Sequence, residues 1–229
     1  MAINLSPTQR RVIERIVNAF ETGRAEGDYG AISIYGDGPH GIRQITYGRS
    51  QTTEYGKLRL LVQRYVDAGG IYSSDLAQYV GDVGSIPLTD DLAFRSLLRR
   101  AGREDPVMRE VQDAFFEEEY FLPALAWADQ HGFESALSAL VIYDSFIHSG
   151  SILWLIRASF PESPPSHGGN ERKWTREYVE ARHKWLATHP RAIVRKTIYR
   201  TRCFKREIDR GNWSLALLPI RANGVAVTA

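Results

Sequence analysis

The chain has 229 residues, 43% of them hydrophobic and 24% charged, with 29 lysines and arginines against 27 acidic residues. A formal charge of +2 is too small to argue for a nucleic-acid partner, and no apolar run reaches the roughly 18 residues that a membrane-spanning helix needs. A single cysteine, Cys203, excludes an internal disulfide and a zinc–cysteine cluster.

The first element is a helix. Ser6 can cap it, Pro7 suits its first position, and Gln9 completes a capping box. Val12, Ile13, Ile16, Val17 and Phe20 recur at helical spacing, and Gly23 marks the end, which places Glu21 in the last turn. Residues 28–48 change character. Tyr29–Tyr35 and Ile42–Tyr47 are rich in β-branched and aromatic residues and flank the segment Gly36–Gly41, predicting a small hairpin with an open turn, the one β structure expected in the chain. The rest reads as helical. Leu58, Leu61, Val62 and Tyr65 mark a helix that stops near Gly69-Gly70, and Thr89 is placed to cap the next, through Leu92, Leu97 and Leu98. A long stretch from Val107 to Trp127 carries Pro123 as a kink or break. Ala136–Ile147 is the most apolar segment and predicts a buried central helix. After a proline- and glycine-rich loop at 161–169, a helix is expected over Trp174–Leu186 and a basic one over Arg191–Arg202. The fold class is therefore α+β, mostly α-helical.

Several side chains could carry chemistry. A carboxylate in the last turn of a helix faces the negative end of the helix dipole, which disfavours ionisation of Glu21 and suits it to a general acid. A solvated helix-end glutamate is the commoner case. Asp37, between Gly36 and Gly38, is either an ordinary turn residue or one placed for close ligand approach. The pair matters more than either residue, because glycoside hydrolysis needs one protonated carboxyl and one ionised carboxylate. Asp144 lies inside the most apolar helix and must be paired; Arg182 and Arg202 are the candidate partners, in an ion pair that is structural as readily as catalytic. His148 ends the same helix without a second ligand at metal spacing, so no metal and no cofactor are expected. Tyr35, Tyr47, Trp154 and Trp174 could stack on sugar rings or pack in the core.

With these residues in view, the chain resembles the family 46 chitosanases of the lysozyme-like superfamily over nearly its whole length. The matching segments are Ala19-Phe20-Glu21, Tyr35-Gly-Asp37-Gly38, Leu61–Asp67, Tyr120–Ala124, Ile142-Tyr-Asp144 with His148-Ser-Gly150, Gly168–Glu171, Glu180-Ala-Arg182, Thr201–Phe204 and Gly211-Asn212. The resemblance implies one lysozyme-like domain over residues 1–229, with two lobes around a substrate cleft and a small β-hairpin in the N-terminal lobe. It implies endo-cleavage of a β-1,4-linked amino-sugar polymer, chitosan first, with inversion at the anomeric carbon. Glu21 would be the acid, Asp37 the base, and Asp144, Arg182 and Arg202 the network behind Glu21. Tyr35, Thr46, Glu54, Lys57 and His148 are the expected substrate-binding residues. Two departures stand out. Lys57 occupies the place of an acidic residue that recognises the glucosamine ammonium, with Glu54 a turn earlier, and Thr46 is the nearest threonine to the one expected to hold the attacking water.

A polysaccharide partner, no nucleic acid, no membrane and a monomer are therefore expected. The family's members act outside the cell or at the wall, yet the opening MAINLSPTQR lacks the basic flank and apolar stretch of a signal peptide. Peptidoglycan hydrolysis is the alternative activity, suited to delivery by a phage or a specialised secretion system. A catalytically inactive glycan-binding module is the alternative from outside the enzymes.

Overall fold

A computed structural model describes residues 3–49 and 51–229. In chain order its elements are α1 (Pro7–Thr22), β1 (Ile32–Tyr35), β2 (Gln44–Tyr47), β3 (Thr52–Thr53), α2 (Leu58–Asp67), α3 (Ser73–Ala77), α4 (Leu92–Glu104), α5 (Pro106–Phe116), α6 (Leu122–Gln130), α7 (Ala136–Ser149), α8 (Trp154–Arg157), α9 (Glu171–Thr188), α10 (Ala192–Arg195), α11 (Tyr199–Asp209), β4 (Ile220–Ala222) and β5 (Val225–Val227). They form two compact units. One is built from the N-terminal residues to Ala25 together with residues 118–229, the other from residues 26–117.

The larger unit is organised around α7. Ser135 caps this helix, and every residue from Ala136 to Ser145 is buried. Helices α1, α6, α9 and α11 pack against it. Helix α1 enters as the sequence predicts: Ser6 accepts from the Gln9 N–H, the Gln9 side chain reaches back to the Ser6 N–H, and Gly23 closes the other end. The aromatic rings of Phe133, Phe160, Trp174 and Tyr178 pack together, Trp174 and Tyr178 stacking with centroids 5.1 Å apart. Cys203 is buried in this core, and burial pushes its thiol up to about 12. At the C-terminal end, β4 and β5 form a hairpin that packs against α1.

In the smaller unit a three-stranded antiparallel sheet, ordered β1-β2-β3, pairs Tyr35 with Gln44 and Thr46 with both Ser33 and Thr53. Helices α2 to α5 complete it. Asp105 ties three of its segments together: it caps α5 through the Val107 N–H and accepts from Ile71 N–H and Tyr65 Oη. Burial pushes that carboxyl up, but these three hydrogen bonds outweigh it and hold it below its usual value.

The structure departs from the sequence reading in four places. Residues 220–227 form a second hairpin, so the N-terminal one is not alone; its Asn223-Gly224 turn has φ of 47° and 84°, the positive pair that a type I′ turn requires. The cap of α4 is Asp91, which accepts from the Phe94 N–H at 2.8 Å, and not Thr89, which is buried. The long stretch after Val107 breaks at a π-helical turn over Glu117–Phe121, leaving Pro123 harmlessly in the first turn of α6. The basic helix expected over 191–202 is in fact the short α10, a 3-10 turn and then α11 from Tyr199 onward.

Gly102 tests how tightly the smaller unit is built. A Cβ there would collide with the backbone carbonyl of Tyr29. Helix propensity favours alanine by roughly 0.5–1 kcal/mol, whereas overpacking against an immobile backbone costs about 1–3 kcal/mol. Gly102→Ala is therefore expected to lower the thermal midpoint, and a calorimetric scan checks it.

Candidate active site

The larger unit holds a line of four charged side chains. Glu21, in the last turn of α1, places Oε1 2.5 Å from Arg200 Nη2 of α11. The other terminal nitrogen of Arg200 lies 2.5 Å from Asp144 Oδ1 on α7, and Asp144 Oδ2 lies 2.7 Å from Arg182 Nη1 on α9. Arg200, Asp144 and Arg182 are buried, whereas 12% of the Glu21 side chain remains exposed, so only this end of the line reaches solvent. The Arg200 guanidinium also lies 5.4 Å from the centre of the Phe20 ring, and Tyr199 Oη donates to the Phe20 carbonyl at 2.8 Å. The end of α1 is thus held at Phe20 as well as at Glu21.

Burial raises the Glu21 pKa above its usual value; Arg200 opposes this, and the Asp144 charge reinforces it. Asp144 is held below its usual value, because Arg200 and Arg182 outweigh the effect of its burial. His148, one turn beyond Asp144, is pushed well below its usual value by burial and by the two arginines, and is neutral at pH 7. Among the described residues, no group of three or more histidine, cysteine or acidic side chains could hold a metal ion.

Arg202 does not join this line. In a helix that starts at Tyr199, Arg200, Thr201 and Phe204 face inward, and Arg202 points to solvent. Arg200 makes the contact with Asp144 that the sequence reading expected of Arg202.

The smaller unit carries Asp37, half-buried just past β1. Gln44 Nε2, on the paired strand, donates to Asp37 Oδ1 at 2.9 Å, and Gln44 Oε1 accepts the Tyr55 N–H at 3.3 Å. The neighbouring glycines serve packing rather than unusual backbone angles. Gly38 has φ −70°, and a Cβ there would press on Ile42 and Tyr55 at 2.9 and 3.2 Å. The left-handed residues of the turn are His40 and Gly41.

The expected binding residues fall into different environments. Tyr35 is 44% exposed at the end of β1, and Trp154 is 78% exposed at the start of α8, whereas Tyr47 and Trp174 are core residues. Thr46 is buried, its hydroxyl bonded to Gln51 Oε1 at 2.8 Å. Glu54 is 1% exposed and spends both oxygens on the backbone, accepting from Ile45 N–H at 2.9 Å and Leu88 N–H at 2.7 Å. That corrects its reading as a substrate-binding residue: it is a structural clasp. Lys57 is half-buried at the N-terminal boundary of α2. Arg200, Gln44 and Tyr199 went unread; each makes its contact across 7 residues or more of sequence, and none stands in a motif.

Glu54→Gln replaces an acceptor oxygen with an amide that faces a backbone N–H. The variant is expected to lose about 1–3 kcal/mol of stability, read as a lower melting temperature, with KM unchanged. A raised KM at unchanged stability would return Glu54 to the substrate.

Comparison with known proteins identifies the family of the chain. The model of glycosyl hydrolase family 46 matches residues 15–220. A chitosanase of Bacillus subtilis (strain 168) is 26% identical over 196 residues, covering 80% of this chain and 69% of that protein. Among solved structures, native chitosanase from Bacillus subtilis MY002 superposes with a TM-score of 0.82 at 22% identity, covering 98% of this chain and all of that one. The Gynuella sunshinyii family 46 chitosanase in complex with chitotetraose gives 0.80 at 26% identity, covering 98% of both chains.

Proposed function

Since the chain belongs to glycosyl hydrolase family 46 and is a glycoside hydrolase of lysozyme-like fold, we propose that it is an endo-acting, inverting chitosanase with Glu21 as general acid and Asp37 as general base. The observation that carries this reading is the line Glu21–Arg200–Asp144–Arg182. A general acid must hold its proton near neutral pH and still leave a tolerable carboxylate when the proton has gone. Burial meets the first need. Arg200, 2.5 Å away, meets the second. Asp144 keeps the two arginines from overwhelming the proton, because with both carboxylates ionised the four charges cancel.

In the proposed reaction Glu21 protonates the glycosidic oxygen as the bond to the anomeric carbon breaks. A water molecule forms the new bond, giving its proton to Asp37, and no covalent sugar–enzyme intermediate arises. The names of the relatives, and the chitotetraose held by one of them, support a glucosamine polymer as substrate.

Peptidoglycan remains the second reading because of one local feature. With both Glu54 oxygens taken and Lys57 at the start of α2, this segment offers an ammonium group no carboxylate from either residue, which favours a neutral or anionic glycan.

Incubation with chitosan and, separately, with purified peptidoglycan decides between the two. Soluble glucosamine oligomers are expected from chitosan; release of muropeptides alone would move the enzyme to the cell wall. Glu21→Gln is expected to lower kcat by about 100-fold or more without unfolding. Proton NMR during the first turnover should show the α-anomer, and a β-anomer would overturn inversion.

Asp144→Asn tests the charge balance. It removes a negative charge that helps Glu21 keep its proton. The acid works only while protonated, so the alkaline limb of kcat/KM is expected to move to lower pH. Leaving the buried Arg182 without its carboxylate should also cost about 3–5 kcal/mol of stability. An unmoved limb in a folded variant would separate Asp144 from the acid.

A further inference from the structure

The acid is held by charges, and the base has a holder of another kind. Gln44 is 6% exposed and lies on β2, paired with Tyr35, two residues before Asp37. Its amide is oriented by its two partners. Oε1 accepts the backbone N–H of Tyr55, so the NH2 group is the end that meets Asp37 Oδ1, at 2.9 Å. A reversed amide would point its NH2 at an N–H and its oxygen at a carboxylate, which is unfavourable at both ends. Gln44 is thus a one-way donor fixed by main chain.

We propose that Gln44 is the positioning residue of the base: by occupying Oδ1 of Asp37 it fixes the carboxylate plane and leaves Oδ2 to take the proton of the attacking water. This rests on the reading of Asp37 as the general base. The geometry supports it in two ways. The donor comes from a strand inside the three-stranded sheet rather than from a loop, so its position is set by the register of β1 against β2. Thr46, two residues further along the same strand, has its hydroxyl bonded to Gln51, which leaves Gln44 as the β2 side chain that contacts Asp37. A neutral donor also costs the base nothing in charge. It aims the carboxylate without placing a full positive charge beside a group that must accept a proton.

A purely structural Gln44 would serve only to hold Tyr55, and two variants separate the roles. Gln44→Glu keeps an acceptor for the Tyr55 N–H but replaces the donor to Asp37 with an oxygen. Gln44→Met keeps the volume and loses both contacts. If Gln44 positions the base, both variants lose kcat by roughly 10- to 100-fold, as expected for a misplaced reacting group. Gln44→Glu then falls at least as far as Gln44→Met, and KM stays within about twofold in each. A thermal scan accompanies the kinetics and separates loss of fold from loss of catalysis in each variant. Wild-type kcat in Gln44→Glu would overturn the proposal, as would an unchanged kcat with a raised KM. Asp37→Asn is the control. If it is inactive while Gln44→Glu is fully active, only the role of Gln44 falls; if it retains full activity, the base assignment fails and takes Gln44 with it.

Discussion

The larger unit depends on a single buried charge. Asp144 lies inside the most apolar helix of the chain, completely removed from solvent. An isolated ion there would be untenable. Its two oxygens therefore recruit two guanidinium groups, and each draws a different helix onto α7: Arg182 brings α9 and Arg200 brings α11. Such a cluster contributes little net stability compared with an apolar core of the same volume, but losing one member is expensive. Its value is in specification. A hydrophobic contact tolerates sliding, whereas a bidentate carboxylate with an arginine on each oxygen fixes where both helices stop. The second terminal nitrogen of Arg200 then passes that fixed position on to Glu21.

The two carboxylates given roles in the reaction are held by contrasting means. Around Glu21 the neighbours are ions, and the proton affinity of the group is the outcome of a contest between burial and opposed charges. Around Asp37 the neighbours are dipoles, an amide locked by a backbone N–H. An acid needs its ionisation tuned, so ions suit it. A base needs to be aimed, and a neutral amide does that without adding charge. Glu54 applies the second strategy for a purely structural end, spending a carboxylate on two backbone donors to join β2 to the segment before α4.

How much of this was legible follows from what sequence encodes locally. Helix α1, with its capping box and Glu21 in its last turn, is a pattern of neighbours and could be read directly. The buried character of α7 was equally plain, and with it the need for arginines near Asp144. Which arginine was not plain, because it depends on where α11 begins. A 3-10 turn ahead of Tyr199 sets the phase of the helix, and a shift of two residues carries an arginine from the core to solvent. The Asn223-Gly224 hairpin was present in the sequence as a turn signal between short alternating strands and was passed over. Glu54 was misjudged for a different reason. Nothing in its neighbours announces that Ile45 and Leu88 will both aim an N–H at one carboxylate.

The larger unit is assembled from both ends of the chain, and Glu21 and Arg200 are 179 residues apart in sequence. During synthesis the glutamate emerges early, on a helix whose binding partners do not yet exist. It stays a solvated carboxylate until α11 has been translated and can dock. An acid assigned to Glu21 is therefore switched on by the docking of α11: a ribosome-bound fragment that ends before this helix carries the residue but lacks the environment that gives it a proton to donate.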